Sequence, residues 1–158
     1  DQVGNLYIGP LLRTPGGSPI SLVDLRAPDY SRFPMFRRAL ESAQEAVLEP
    51  GDAIFIPILW WHGVESLDPL NILVNYWWND SESAHDKPFL SLVHSMLMLS
   101  RLPDAQREAW RALFDHFVFQ TGGDSGAHLP PDLRDLQGAL SPEDRNQVKA
   151  LLAEHLKP

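Results

Sequence analysis

The stretch that decides the fold class is residues 50–66, Pro50-Gly51-Asp52-Ala53-Ile54-Phe55-Ile56-Pro57-Ile58-Leu59-Trp60-Trp61-His62-Gly63-Val64-Glu65-Ser66. It begins with a Pro-Gly-Asp turn, continues as a short apolar run that a proline ends, and starts a second run at a histidine. A third run follows a turn around Asp68-Pro69. Short apolar runs between Pro and Gly turns are typical of antiparallel sandwiches and barrels. The pattern predicts strands over 53–57, 61–66 and 71–78.

The composition of the chain changes near residue 85. The part before it contains all three tyrosines and four of the five tryptophans, and a further strand is predicted over 21–25 and a helix over 36–46. The part after it has apolar residues at helical spacing over 87–101 and 103–119, and a capping signal at Ser141 starts a last helix. We therefore expect a β domain over 1–85 and a helical segment over 86–158.

The chain has 158 residues, of which 44% are hydrophobic and 22% charged, as expected for one soluble domain. It contains no cysteine, which excludes disulfides, thiolate zinc sites and a cysteine nucleophile and fits a reducing, cytoplasmic location. No apolar run approaches the roughly 18–20 residues of a membrane span. The start lacks both a signal sequence and an initiator methionine, so we do not expect Asp1 to begin the natural protein.

The charge balance argues against polyanionic partners. The chain carries 13 basic and 21 acidic residues, a net charge of −8. A protein that binds the phosphate backbone would have the opposite balance, so nucleic acid and anionic membrane surfaces are disfavoured as partners. The remaining partner classes are a protein substrate, a small molecule, or a second copy of the chain.

The candidate chemistry centres on a histidine and an amide on two neighbouring predicted strands. By the period of two, His62 shares a strand face with Val64 and Ser66. If Asn75 on the next strand points inward, its amide lies near the imidazole in an apolar cavity. Buried imidazole and amide groups both need partners, and a metal with its cofactor would provide them.

The run Gly51-Asp52-x-x-Phe55-Ile56-Pro57-x-x-x-Trp61-His62-x-Val64-Glu65-Ser66, together with Val74-Asn75-Tyr76-Trp77, resembles the second half of a cupin-like JmjC domain. The type is that of the asparaginyl hydroxylase of hypoxia-inducible factor and its bacterial relatives. Asn5-Leu6-Tyr7 and the stretch 27–34 match as well, so the resemblance covers residues 1 to about 80. It implies a jelly roll (double-stranded β-helix) and hydroxylation with Fe(II) and 2-oxoglutarate.

The resemblance also implies roles for individual residues. The family's iron ligands are a His-x-Asp/Glu pair on an early strand and a distal histidine, which leaves open positions for 2-oxoglutarate and O2. His62 matches the distal ligand and Asn75 a position lining the cofactor cavity, while Tyr7, Trp61 and Trp77 are candidates for the substrate pocket. No His-x-Asp or His-x-Glu occurs in the chain. We therefore expect the chain to be the C-terminal portion of a longer dioxygenase.

Ordinary structural roles stand beside these assignments. His62 would be read as a core histidine without the family pattern, and Asn75 could bridge or cap strands. The aromatic residues Tyr7, Trp61 and Trp77 could serve only in packing.

Two functions follow from the sequence. The first is the distal half of a 2-oxoglutarate-dependent hydroxylase acting on a protein or other macromolecule. The second is a non-catalytic, metal-free cupin-like module that binds or dimerises. In both, the excess of large apolar residues after Lys87 predicts a homodimer through the C-terminal helices. The sequence does not identify the substrate.

Overall fold

The computed structural model describes residues 2–13, 19–78 and 87–156. By its internal contacts the chain divides into two compact units, Asp1–Leu73 and Val74–Pro158. The boundary predicted at residue 85 falls within 79–86, outside the described residues, and stays a prediction.

The first unit begins with a short 3-10 helix, Val3–Asn5, followed by a single antiparallel bridge between Ile8 and Ser21. The Gly9 amide donates to the Ile20 carbonyl at 2.8 Å, and the Leu22 amide donates to the Tyr7 carbonyl at 3.0 Å. The strand predicted over 21–25 is thus limited to Ser21 and Leu22, because only these two pair with the backbone of residues 7–8.

The core of this unit is small. Four buried hydrophobic residues form it, namely Val23, Phe33, Phe36 and Ala39, and three partly buried residues pack against them, namely Leu6, Tyr7 and Tyr30. Helix α1, Phe36–Glu41, contributes Phe36 and Ala39 to the core. The helix predicted over 36–46 ends early, because no residue after Ala39 on this segment is buried and packing no longer supports helical backbone.

An aspartate organises the turn that precedes α1. One Asp29 carboxylate oxygen accepts hydrogen bonds from the Ser31 hydroxyl at 2.6 Å, the Ser31 amide at 3.0 Å and the Arg32 amide at 3.2 Å. The Ser31 hydroxyl, followed by the Arg32 amide, lowers the pKa of Asp29 below its usual value, because both donors favour the charged form. The motif starts the turn that brings Phe33 into the core.

The predicted Pro-Gly-Asp turn is confirmed. The Asp52 amide donates to the Glu49 carbonyl at 3.0 Å, and the Glu49 amide donates to an Asp52 carboxylate oxygen at the same distance. Gly51 has φ +99°, a conformation that glycine adopts without a steric penalty. The turn therefore requires glycine at this position.

The predicted jelly roll is not confirmed. Residues 53–57, 61–66 and 71–78 form no strand ladder, and the bridge between Ile8 and Ser21 is the only β pairing within the described residues. Apolar side chains along these segments are exposed, for example Ile72 and Tyr76. The physical reason is that a strand needs a neighbouring strand for its amides and carbonyls, and no strand ladder among the described residues includes these three segments.

The second unit is helical, as predicted. Helices α2 (Pro88–Leu99) and α3 (Asp104–Phe117) lie within two residues of the predicted bounds, and α4 (Pro142–His155) begins directly after Ser141, as the capping signal predicts. Prolines stand at the first position of α2 and α4 and at the cap of α3, where no amide donor is needed. The Ser141 hydroxyl accepts from the Asp144 amide at 3.1 Å, which confirms the capping signal.

The connection between α3 and α4 is ordered by an ion pair and two short 3-10 helices, Pro131–Leu133 and Asp135–Gln137. Arg134 contacts the Asp124 carboxylate at 3.2 Å and donates to the Leu129 carbonyl. The other Asp124 oxygen accepts from the Gly126 amide at 2.9 Å.

The helices of this unit expose large apolar side chains. None of α2, α3 and α4 contains a buried residue, and exposed members include Leu97 on α2, Trp110 on α3 and Leu151 on α4. No helix among the described residues is long and apolar enough to cross a membrane. The helical unit thus presents apolar surface that it does not cover itself.

The small core of the first unit makes a stability prediction. Val23 is 7% exposed, whereas Val47 in the same unit is 63% exposed. Val23→Ala should lower the free energy of unfolding by about 1–3 kcal/mol, since it removes buried methyl groups and leaves a cavity. The matched change Val47→Ala should alter it by less than about 0.5 kcal/mol. Chemical denaturation measures both, and equal losses would show that the core is assigned incorrectly.

Candidate functional site

His62 follows a tight turn formed by residues 57–60. The Trp60 amide donates to the Pro57 carbonyl at 3.1 Å, and Leu59 has φ +66°. A closing hydrogen bond with a left-handed third residue is the pattern of a type II turn. The chain therefore changes direction at residues 57–60, immediately before His62, and does not continue straight from the segment 53–57.

One nitrogen of the His62 ring is engaged by the main chain. Nδ1 lies 3.0 Å from the Trp60 carbonyl oxygen. A carbonyl oxygen only accepts, so Nδ1 carries the proton in this contact. In the neutral ring Nε2 is then an acceptor, and among the described residues the ring makes its hydrogen bond through Nδ1. This is the arrangement in which a histidine offers Nε2 to a metal while a backbone carbonyl fixes the ring orientation.

Two contacts join the His62 segment to the loop around residue 25. Arg26 and Glu65 form an ion pair at 2.8 Å, with both side chains more than half exposed. A Cβ added to Gly63 would lie 2.8 Å from a Leu25 methyl group, so the backbone at Gly63 approaches the loop closely. An exposed ion pair contributes about 0–1 kcal/mol to the free energy of unfolding. The Arg26–Glu65 pair therefore orients the His62 segment against the loop more than it stabilises the fold.

The remaining candidate residues are distributed over both units. Trp61, half-exposed, directly precedes His62 in the first unit. Asn75 and Trp77 belong to the second unit and are exposed, Trp77 by 83%. The proximity of Asn75 to His62 therefore stays a prediction, as do the pocket roles of Trp61 and Trp77.

Tyr7 belongs to the small core. Its hydroxyl accepts a hydrogen bond from the Met35 amide at 3.0 Å, and its ring contacts Phe33 edge-on with 5.0 Å between centroids. Its backbone has φ +49°, in the left-handed region. These contacts give Tyr7 a structural role, and its place in a substrate pocket stays a prediction.

The residues present do not form a complete iron site. His62 fits as one ligand, because Nδ1 is engaged and Nε2 is free to bind. Among the described residues, however, no three His, Cys, Asp or Glu side chains come together in a group that could hold a metal ion. One imidazole does not retain Fe(II), which needs the 2-His-1-carboxylate set.

Sequence reasoning missed the contacts that orient His62. Gly63 beside a histidine was a usable signal, since glycine in a strand pattern indicates close backbone approach. The pairing of Arg26 with Glu65 had no such signal, because 38 intervening positions separate two ordinary surface charges. The Trp60 carbonyl is a main-chain group, and any residue at position 60 would supply it.

The helical unit contains a separate apolar groove. It has a volume of about 280 Å³ between the end of α2 and α3, and its lining includes Met96, Leu99, Trp110 and Phe114. Arg107 and Arg111 lie at the same groove, and both already form ion pairs with α3 carboxylates. The lining of the groove contains no titratable pair suited to acid–base chemistry.

Comparison with known proteins gives matches over part of the chain. The lysine-specific demethylase 8 of Xenopus tropicalis is 46% identical over 59 residues, which is 37% of this chain and 13% of the relative. The human HSPB1-associated protein 1 is 43% identical over 60 residues, 38% of this chain and 12% of the relative. The lysine-specific demethylase JMJ31 of Arabidopsis thaliana is 35% identical over 86 residues, 51% of this chain and 16% of the relative.

The matched region thus spans about an eighth to a sixth of the length of these relatives. They support a JmjC-type family and do not single out the asparaginyl hydroxylase type. No solved structure matches the chain. The model of a family described as a cupin-like domain matches residues 1–84, which is more than half of the 158 residues and includes both His62 and Asn75. The chain therefore belongs to the cupin-like domain family.

Proposed function

We propose that this chain supplies the distal part of a JmjC-type oxygenase that uses Fe(II) and 2-oxoglutarate. The observation that carries the proposal is the state of His62: its Nδ1 donates to the Trp60 carbonyl and its Nε2 is available, within a segment that the family model matches. When bound, the iron and 2-oxoglutarate would supply the oxidation of a substrate C–H bond. His62 would contribute one imidazole ligand.

The other ligands would come from sequence outside these 158 residues. The chain has no His-x-Asp or His-x-Glu, and the relatives are several times longer than the region they share with it. Segments outside this chain would also complete a sheet with residues 53–57, 61–66 and 71–78, which have a strand pattern and no strand ladder. Asn75 would line the cofactor cavity, with Trp61, Trp77 and Tyr7 toward the substrate.

The substrate class in this proposal is a side chain of a protein. Two of the relatives are named as lysine-specific demethylases, which makes a protein lysine the first candidate to test. Hydroxylation of an asparagine, as in the type that the sequence resembles, is the second. A net charge of −8 disfavours a substrate bound through its phosphates.

The second function is a metal-free module that binds a partner. The apolar side chains exposed on α2, α3 and α4 support partner binding. The two functions differ in whether iron binding depends on His62. In both, we place the protein in the cytoplasm, consistent with its lack of cysteine.

The iron content of the natural full-length protein distinguishes them. His62→Ala should lower iron affinity by at least about 100-fold, because changes to groups that merely orient a ligand already cost about 10–100-fold. In the metal-free 158-residue chain the melting temperature should stay unchanged, since His62 is exposed there. Turnover of 2-oxoglutarate should be lost.

The matched control is His128→Ala, which removes an exposed histidine from the second unit. It should leave iron affinity and turnover at the wild-type level. Equal iron content in wild type and His62→Ala, measured by elemental analysis, would exclude His62 as a ligand, and absence of iron from both would favour the metal-free module.

We further propose that the helical segment forms a homodimer. Exposed apolar residues occur on all three helices of the second unit, including Leu97, Leu113 and Leu151, and exposed patches of this kind usually mark interfaces. A second copy brings an identical apolar surface, so a two-fold interface would cover both at once.

Light scattering should give twice the chain mass for the wild type and one chain mass for Leu97→Glu, which places a charge in the apolar surface. Leu133→Glu is the control: it alters a comparably exposed leucine of the same unit outside α2, α3 and α4. A monomeric wild type, or a dimer that survives Leu97→Glu unchanged, would contradict the proposed interface.

A further inference from the structure

The turn before His62 contains a residue in an unfavourable backbone conformation. Leu59 has φ +66°, a region that side chains with a Cβ avoid and that type II turns normally fill with glycine or asparagine. Packing does not explain the leucine, because its side chain is 89% exposed. Strained backbone of this kind persists only where the surrounding structure enforces it, and such residues cluster at functional sites.

The consequence of the turn is the position of one carbonyl. Closure by the Trp60 amide on the Pro57 carbonyl fixes the peptide group between Leu59 and Trp60, directly before the Trp60 carbonyl. The Trp60 carbonyl then lies 3.0 Å from Nδ1 of His62, two residues further on. An extended strand would not place these two atoms together, since carbonyls and side chains point in different directions along it.

We infer that the Pro57–Trp60 turn is a positioning element that holds His62 as the Nδ1–H tautomer and thereby leaves Nε2 as the unprotonated nitrogen of the neutral ring. Leu59 and Trp60 are positioning residues in this inference. The inference rests on the proposed function in one respect: only there does the Nε2 lone pair bind a metal ion. The tautomer itself depends only on the turn.

The contact with the Trp60 carbonyl predicts which neutral tautomer of His62 dominates. A neutral histidine side chain in water prefers the Nε2–H form, so a dominant Nδ1–H form at His62 requires a specific acceptor. A net hydrogen bond changes the ratio of the two forms by about 2- to 12-fold. Losing the turn should change the ratio by that factor.

The experiment is NMR of the metal-free 158-residue chain, using long-range 1H–15N correlations of the imidazole at about pH 8.5, where a histidine of ordinary pKa is neutral. The wild type should show the Nδ1–H form. Leu59→Gly should keep it within about twofold, since glycine adopts positive φ freely. Leu59→Val should shift the ratio toward Nε2–H by about 2- to 12-fold, since a β-branched residue is poorly tolerated there.

Leu70→Val is the matched control, because Leu70 is similarly exposed and is not among the residues with positive φ. It should leave the ratio unchanged. A wild type with the Nε2–H form, or a folded Leu59→Val with the wild-type ratio, would overturn the inference. If Leu59→Val does not fold, the inference is tested by the wild type and Leu59→Gly, which should both show the Nδ1–H form. Because no metal is present, this result is independent of whether His62 proves to bind iron.

Discussion

The structure depends on one constraint: an extended backbone must find a second strand to receive its amides and carbonyls. Residues 53–78 have the turns, the apolar alternation and the family match of a β domain. In the described residues they have no strand partner, and their apolar side chains are exposed. Local sequence therefore determines where this region turns, while the sheet depends on segments that pair with it.

Helices are subject to a different constraint, and this explains why the second unit forms as predicted. Each helix satisfies its backbone within itself, so α2, α3 and α4 need no distant partner for their hydrogen bonds. Their apolar faces still need cover, which accounts for the exposed leucines and for the proposed dimer. The strand-patterned region thus lacks neighbouring strands, whereas the helical unit lacks a partner for its apolar surface.

The predictable features were those that neighbouring residues determine. The turn at Gly51, the Ser141 cap and the proline-initiated helices follow from residue types within one turn of chain. The sheet could not be predicted as present or absent, because its pairing depends on distant segments. At the candidate site, His62 was found by its motif, but the Nδ1 contact came from the strained turn at Leu59, which leucine gives no reason to expect. The approach of Leu25 to Gly63 likewise depends on tertiary contact.

The central claim is that residues 61–66 and 71–77 become strands only when other segments pair with them. Amide hydrogen exchange, measured on the 158-residue chain and on the natural full-length protein, tests this most directly. The account predicts fast exchange of these amides in the chain and exchange slowed by at least about 100-fold in the full-length protein, because ladder amides open only with much of the fold. Equally fast exchange in both would contradict it and leave His62 without the sheet that a cupin site requires.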